Sequence, residues 1–209
     1  IWGSAWVGLQ YFRRMFREYT FLSVLRNSLW ISGLKLFICF PFGVIFALLL
    51  NEITALRYKK VVQTVSYMPH FISWVVLGGI IRSLLALDGP VNAFVALMGG
   101  EKRMWLSSSA AFVPILLLTE IWKTMGWGSI VYLAAIAGIP AELYESAQID
   151  GATRLQQMRF ITFPSLLPVV SILFILRIGH ILNAGFDQIF NLYSPIVYDV
   201  ADIIDTYVY

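Results

Sequence analysis

Charge is scarce in this chain. Only 13% of its 209 residues are Asp, Glu, Lys or Arg, against about 25% in ordinary soluble domains. Set beside 59% hydrophobic residues and a mean hydropathy of +0.76, that shortfall excludes an ordinary soluble domain. It also excludes disorder, which needs low hydrophobicity and high charge. Cysteine is nearly missing: the single Cys39 lies in an apolar run, so no intrachain disulfide is possible and nothing suggests a metal site. A net charge of +3 gives no reason to expect nucleic acid. Alternation of apolar and polar residues is lacking, which excludes a membrane barrel. Repeats and low-complexity segments are absent. No signal-peptide pattern opens the chain, which starts at Ile1 rather than Met, so the sequence reads as a piece of a longer protein.

What is present is long and apolar. Four segments suffice for a bilayer span of about 20 helical residues. They run over about 27–50, 71–87, 110–138 and 165–182. Pro41 is expected to kink the first, and Gly126-Trp127-Gly128 to interrupt the third. Pro168 falls in the first turn of the fourth, where proline does least harm. The fold class expected is all-α, a polytopic membrane helix bundle forming one transmembrane domain over 1–209. Between the spans lie a basic loop (Arg57, Lys59, Lys60), a Gly-rich loop over 88–109 and a polar loop over 139–164. The tail over 184–209 is acidic and has no Lys or Arg. The opening stretch mixes Trp2, Trp6 and Phe12 with Arg13, Arg14 and Arg17, as an interfacial segment in contact with membrane lipid does. Counting Lys and Arg on the two sides does not settle orientation.

The polar loop is the informative part. Pro140 suits the first turn of a helix over 141–149. Asp150-Gly151 is a turn pair, with Gly151 free to take a positive φ. A second short helix over 152–160 follows, and Pro164 is expected to end it. Two short helices at an angle make a knob, which is a docking device more than a catalytic one.

The spacing within this loop resembles the EAA loop of ABC-importer permeases. That pattern is Glu-Ala-Ala, three residues, Gly, nine residues, Ile, one residue, Leu-Pro. It falls here on Glu145, Ser146, Ala147, Gly151, Ile161, Phe163 and Pro164, with Ser146 and Phe163 as conservative departures. Trp6-Val7-Gly8-Leu9, Arg26-Asn27-Ser28-Leu29, Met68-Pro69-His70-Phe71, Ile121-Trp122-Lys123 and Asn183-Ala184-Gly185-Phe186-Asp187-Gln188 look like the same family. The chain is similar to its maltose-like sugar branch, in particular to the polysaccharide and oligosaccharide type.

That resemblance implies a type I permease core with four of about six spans, in a bacterial inner membrane. It implies a multi-pass transport subunit and no enzyme: there are no catalytic residues, no metal and no cofactor on this chain. ATP and Mg would sit on a partner ABC ATPase dimer, consistent with the lack of a Walker A sequence. The other implied partners are a second permease subunit, usually a different chain, and an extracytoplasmic solute-binding protein. The loop would be cytoplasmic and the 184–209 tail external. Glu145, Ala147 and Gly151 would be the core of the ATPase contact, flanked by Ser146, Ile161 and Pro164. Asp150 is expected to cap the second short helix. A permease for a non-sugar solute, or an ion-coupled secondary transporter, are the competing readings.

Ionisable residues inside a span face a cavity or a partner. Glu120 and Lys123 lie three apart on one helix face and are expected to pair with each other, or to form a polar wall of a pathway. Trp122 and Trp127 are candidates for stacking on sugar rings, or for an interfacial belt. Arg177 is a further pathway candidate, whereas Lys35 and Arg82 are read as snorkelling to an interface. His70 and His180 read as structural residues.

Overall fold

The structure is a computed structural model that describes residues 8–209. Trp2, Trp6 and Val7, singled out above, lie outside the described residues. The described residues fold as helices, in chain order α1 (Gln10–Met15), α2 (Tyr19–Glu52), α3 (Leu56–Phe71), α4 (Trp74–Leu84), α5 (Pro90–Leu97) and α6 (Ser109–Ala137). Then come α7 (Ala141–Ile149), α8 (Arg154–Ile178), α9 (Phe186–Leu192), α10 (Tyr198–Ala201) and α11 (Ile204–Val208). The helices α2 and α8 are long and apolar enough to cross a membrane, at mean hydropathies of 2.3 and 2.1. Two bent pairs, α3 with α4 (103°) and α6 with α7 (72°), bring the number of candidate spans to as many as four.

Several sequence expectations change in detail. The first apolar helix starts earlier, at Tyr19, and the basic segment that read as a loop is mostly helical as α3. Pro41 and Pro164 neither break nor end a helix. In each case one π-helical turn, over Lys35–Cys39 and Met158–Thr162, precedes a Phe-Pro pair. It closes with the Phe40 amide donating to Lys35 oxygen and the Phe163 amide to Met158 oxygen, five residues back. The wider turn relieves the clash between the proline ring and the preceding turn, so the helix passes through. Gly126-Trp127-Gly128 does not interrupt α6, because glycine keeps its N–H and so its place in the hydrogen-bond ladder.

The chain divides into two compact units. One comprises residues 1–32, 78–113 and 182–209. Within it, buried Asn27 donates from Nδ2 to the Asp199 and Asp202 carbonyls at 3.0 and 3.2 Å, and Ser28 Oγ accepts the Ile204 amide at 2.9 Å. The acidic tail is therefore an ordered set of short helices. The Gly-rich loop is also organised. Fully buried Asn92 donates to the Ala86 and Arg103 carbonyls and accepts from the Arg103 amide and Trp105 Nε1, all at 2.9–3.0 Å. Arg82 is engaged too, its Nε donating to Asn191 oxygen at 2.8 Å.

The other unit comprises residues 33–77 and 114–181. Its core joins Val44 and Ala47 of α2, Tyr132 and Ile136 of α6, and Leu166 of α8. In lipid such a cluster is held by close packing more than by exclusion of water, because lipid tails are as apolar as leucine. Gly126 sits so close to the Ser66 carbonyl of α3 that no side chain fits between them. The remaining faces of α2 and α8 are apolar and outward: Phe37, Leu49, Ile172 and Ile175 are all more than half exposed.

Candidate functional site

Most of the chemistry-bearing features that the sequence singles out in this second unit fall at two places, an inner cavity and an elbow. The cavity, of about 390 Å³, lies between α2, α6 and α8. Glu120 on α6 is at its centre. Its two carboxylate oxygens lie 3.8 Å from Lys35 Nζ on α2 and 3.8 Å from Arg177 Nη2 on α8. These separations are too long for hydrogen bonds, so the attraction is between charges. The Lys35 side chain is 4% exposed and that of Arg177 is 52% exposed. Lys35 is therefore an ion buried between helices, not a snorkelling one.

Lys123 does not pair with Glu120. Its ammonium turns to the opposite side and donates to the carbonyls of Pro69 and His70 at 3.1 and 3.0 Å, and also to that of Ile72. These carbonyls lie where α3 ends, the Pro69 oxygen also accepting the Ile72 amide at 3.3 Å, and Lys123 thus holds the bend into α4. Its Nζ also sits 5.3 Å above the Trp74 ring. Trp122 is half exposed and does not line the cavity. Trp127 does line it, with one face of the indole stacked on His70 at 4.6 Å and 3°. Of the five pathway candidates, the structure thus brings together Glu120, Trp127 and Arg177, and sends Trp122 and Lys123 elsewhere. Sequence reasoning places Lys35 at an interface instead, and does not single out Tyr132. The rule that buried charges need partners pointed to Lys35; its partner Glu120 is remote in sequence, so no local pattern names it.

The elbow is α7, a turn, and the start of α8. The Ala152 amide donates to Ala147 oxygen at 2.9 Å and the Gly151 amide to Gln148 oxygen at 3.0 Å, with Gly151 at φ +78°. This pairing is the Schellman arrangement that closes a helix on a left-handed residue. Thr153, not Asp150, caps the next helix. Its side chain and that of Gln156 bond reciprocally to each other's backbone amides, a Thr-x-x-Gln capping box that was legible in the sequence. Asp150 instead ends α7. Tyr144 and buried Thr162 share a hydroxyl hydrogen bond of 2.9 Å, which ties α7 to the body of α8. Glu145 and Ser146 are exposed on α7, Ala147 is half-buried, and Ile161 and Pro164 lie further along on α8. Apolar Leu143, Ile149 and Leu155 stand exposed around the turn, Ile149 at 87%. The elbow and the cavity share two rods: α6 bends into α7, and α8 runs from the turn to Arg177.

Residues 40–190, which contain the elbow and most of the cavity wall, match the model of the binding-protein-dependent transport system inner membrane component. The chain belongs to that family. It is 45% identical, over its whole length, to the polygalacturonan/rhamnogalacturonan transport system permease protein YteP of Bacillus subtilis, of which it spans 65%. A crystal structure of a bacterial ABC transporter involved in the import of the acidic polysaccharide alginate superposes on 99% of the chain, at a TM-score of 0.95 and 42% identity. The chain covers 73% of that neighbour. The bacterial alginate ABC transporter in complex with alginate pentasaccharide-bound periplasmic protein gives a TM-score of 0.94 at 42% identity, over 97% of this chain and 71% of the other. The family is thus the one the EAA spacing resembled, and its members are membrane transport components.

Proposed function

We propose that this chain is a membrane-spanning permease subunit of an ATP-driven, binding-protein-dependent importer of oligosaccharide or polysaccharide fragments in a bacterial inner membrane. The observation that carries the reading is the elbow. A rigid knob with an exposed apolar tip stands on the two helices that wall the charged cavity. A partner that grips the knob moves the cavity walls. The partner is an ABC ATPase dimer, which binds ATP and Mg; Glu145, Ser146, Ala147, Asp150 and Gly151 meet it, and Ile161 and Pro164 carry the motion into α8. The motion is a rigid-body one between two arrangements, passed on through the Tyr144–Thr162 bond and the backbone of α8. A second permease chain completes the pathway, and an extracytoplasmic solute-binding protein delivers the saccharide near the 184–209 segment. The relative that transports polygalacturonan or rhamnogalacturonan and the neighbour that imports alginate support a saccharide cargo.

Uptake of a labelled oligogalacturonide into proteoliposomes holding the complete transporter tests the reading. Accumulation is expected to require ATP inside the vesicle and the binding protein outside, and to survive ionophores. Uptake without ATP hydrolysis that collapses with the ion gradient would overturn it.

A further inference from the structure

The cavity charge does not balance. Lys35 and Arg177 are both cationic, and Glu120 is the acid among the lining residues, so one positive charge is left over. Inside a membrane an uncompensated charge is costly and calls for a partner or a water-filled cavity. A triad serving helix packing alone gains nothing from the surplus. The surplus is also placed unevenly. Lys35 is sealed at 4% exposure, whereas Arg177 is 52% exposed on the cavity wall, beyond hydrogen-bond distance of Glu120. Its guanidinium keeps its fork of donors for another acceptor. Such a fork matches a carboxylate in a two-bond geometry. Trp127, which lines the same cavity, offers a flat apolar wall whose plane is held by His70. The volume, about 390 Å³, lies within the range of about 300–1,000 Å³ in which small ligands are held.

We propose that this cavity is a subsite for a carboxylate-bearing sugar, a uronate, in which Arg177 receives the carboxylate and Trp127 packs on the ring. Glu120 holds the guanidinium in place and neutralises Lys35, so the site presents one net positive charge to its ligand. The proposal rests on the permease reading above and names the class of sugar that it favours.

The test is made on the complete membrane assembly in nanodiscs, without its binding protein, so that selectivity is read from the membrane part alone. Trigalacturonate and its methyl ester, which lacks the carboxylate charges and carries methyl groups in their place, are titrated by calorimetry. The acid is expected to bind about tenfold tighter than the ester. Arg177→Gln is expected to erase the difference, and Arg177→Lys, which keeps the charge but not the fork, to keep only part of it. Equal affinities for acid and ester on the unaltered assembly, no binding of the acid, or a preference that persists in Arg177→Gln would each overturn the subsite. Uptake of either trisaccharide into proteoliposomes holding the same assembly, with binding protein outside and ATP inside, separates the two levels. Uptake that persists while the subsite fails leaves the permease reading standing, and absence of uptake of both fells it.

Discussion

Glu120 and Arg177 face each other at 3.8 Å from two different helices, and the same carboxylate lies 3.8 Å from Lys35 on a third. One acid thus joins α2, α6 and α8. Removing it leaves two cations near each other, one of them sealed from solvent. Breaking a buried pair by deleting one partner typically costs about 3–5 kcal/mol. Glu120→Gln is therefore expected to lower the stability of the detergent-solubilised protein by about 3 kcal/mol. Adding Lys35→Met removes the buried cation and is expected to restore part of the loss, as read by thermal unfolding of both variants.

Gly126 touches the Ser66 carbonyl where α6 and α3 cross. A methyl group there has to displace backbone, not a flexible side chain. Gly126→Ala is expected to cost about 1–3 kcal/mol, the range for overpacking a well-filled contact. Gly128, two residues on, has open space at the same position, so Gly128→Ala is the matched control and should leave the unfolding midpoint almost unchanged.

Gly151 needs its positive φ, and a Cβ there meets nothing within 4 Å. Any penalty inside the chain comes from backbone strain of about 1 kcal/mol, not from a clash. Gly151→Asp is expected to leave the membrane fold intact while weakening ATPase docking and uptake. Co-purification of the ATPase with the variant, together with transport at the unaltered rate, would remove the role given to this turn.

Tyr193 lies half-buried against Tyr198, with ring centroids 4.9 Å apart. Burial, and then the hydrogen bond with Tyr198, push its phenol from 10.0 up to about 12. The neutral form is the one the fold favours. Its contribution to stability is present below the ordinary tyrosine pKa of about 10 and is lost as pH rises toward 12. In an ultraviolet titration of the phenolates, Tyr193→Phe is expected to remove a late step near pH 12 and to leave the earlier steps in place.

How far the fold was legible follows from the range of each signal. Hydropathy located the apolar segments because it is a local sum. The knob was legible because Asp150-Gly151 and the EAA spacing are contiguous. The cap on the second helix was assigned to Asp150 although Thr153 and Gln156 carried the better signal, three residues apart. The partner of Glu120 was assigned to Lys123 because only near neighbours are visible in a sequence. The actual partners come from other helices, and Lys123 is drawn to the carbonyls at a bend that no residue pattern announced. Pro164 read as a terminator because the rule for proline assumes a regular α turn before it. The wide turn at Met158–Thr162 suspends that rule.

The same wide turn in α2 has a further effect. A π turn holds one residue more than the α turn it replaces, and each residue in an α-helix advances the side chain by about 100°. The turn over Lys35–Cys39 thus takes up one extra residue within a single helix. Deleting a single residue there would keep the helix and its length almost unchanged. It would also restore the regular α turn before Phe40-Pro41, and with it the clash of the proline ring that the wide turn relieves.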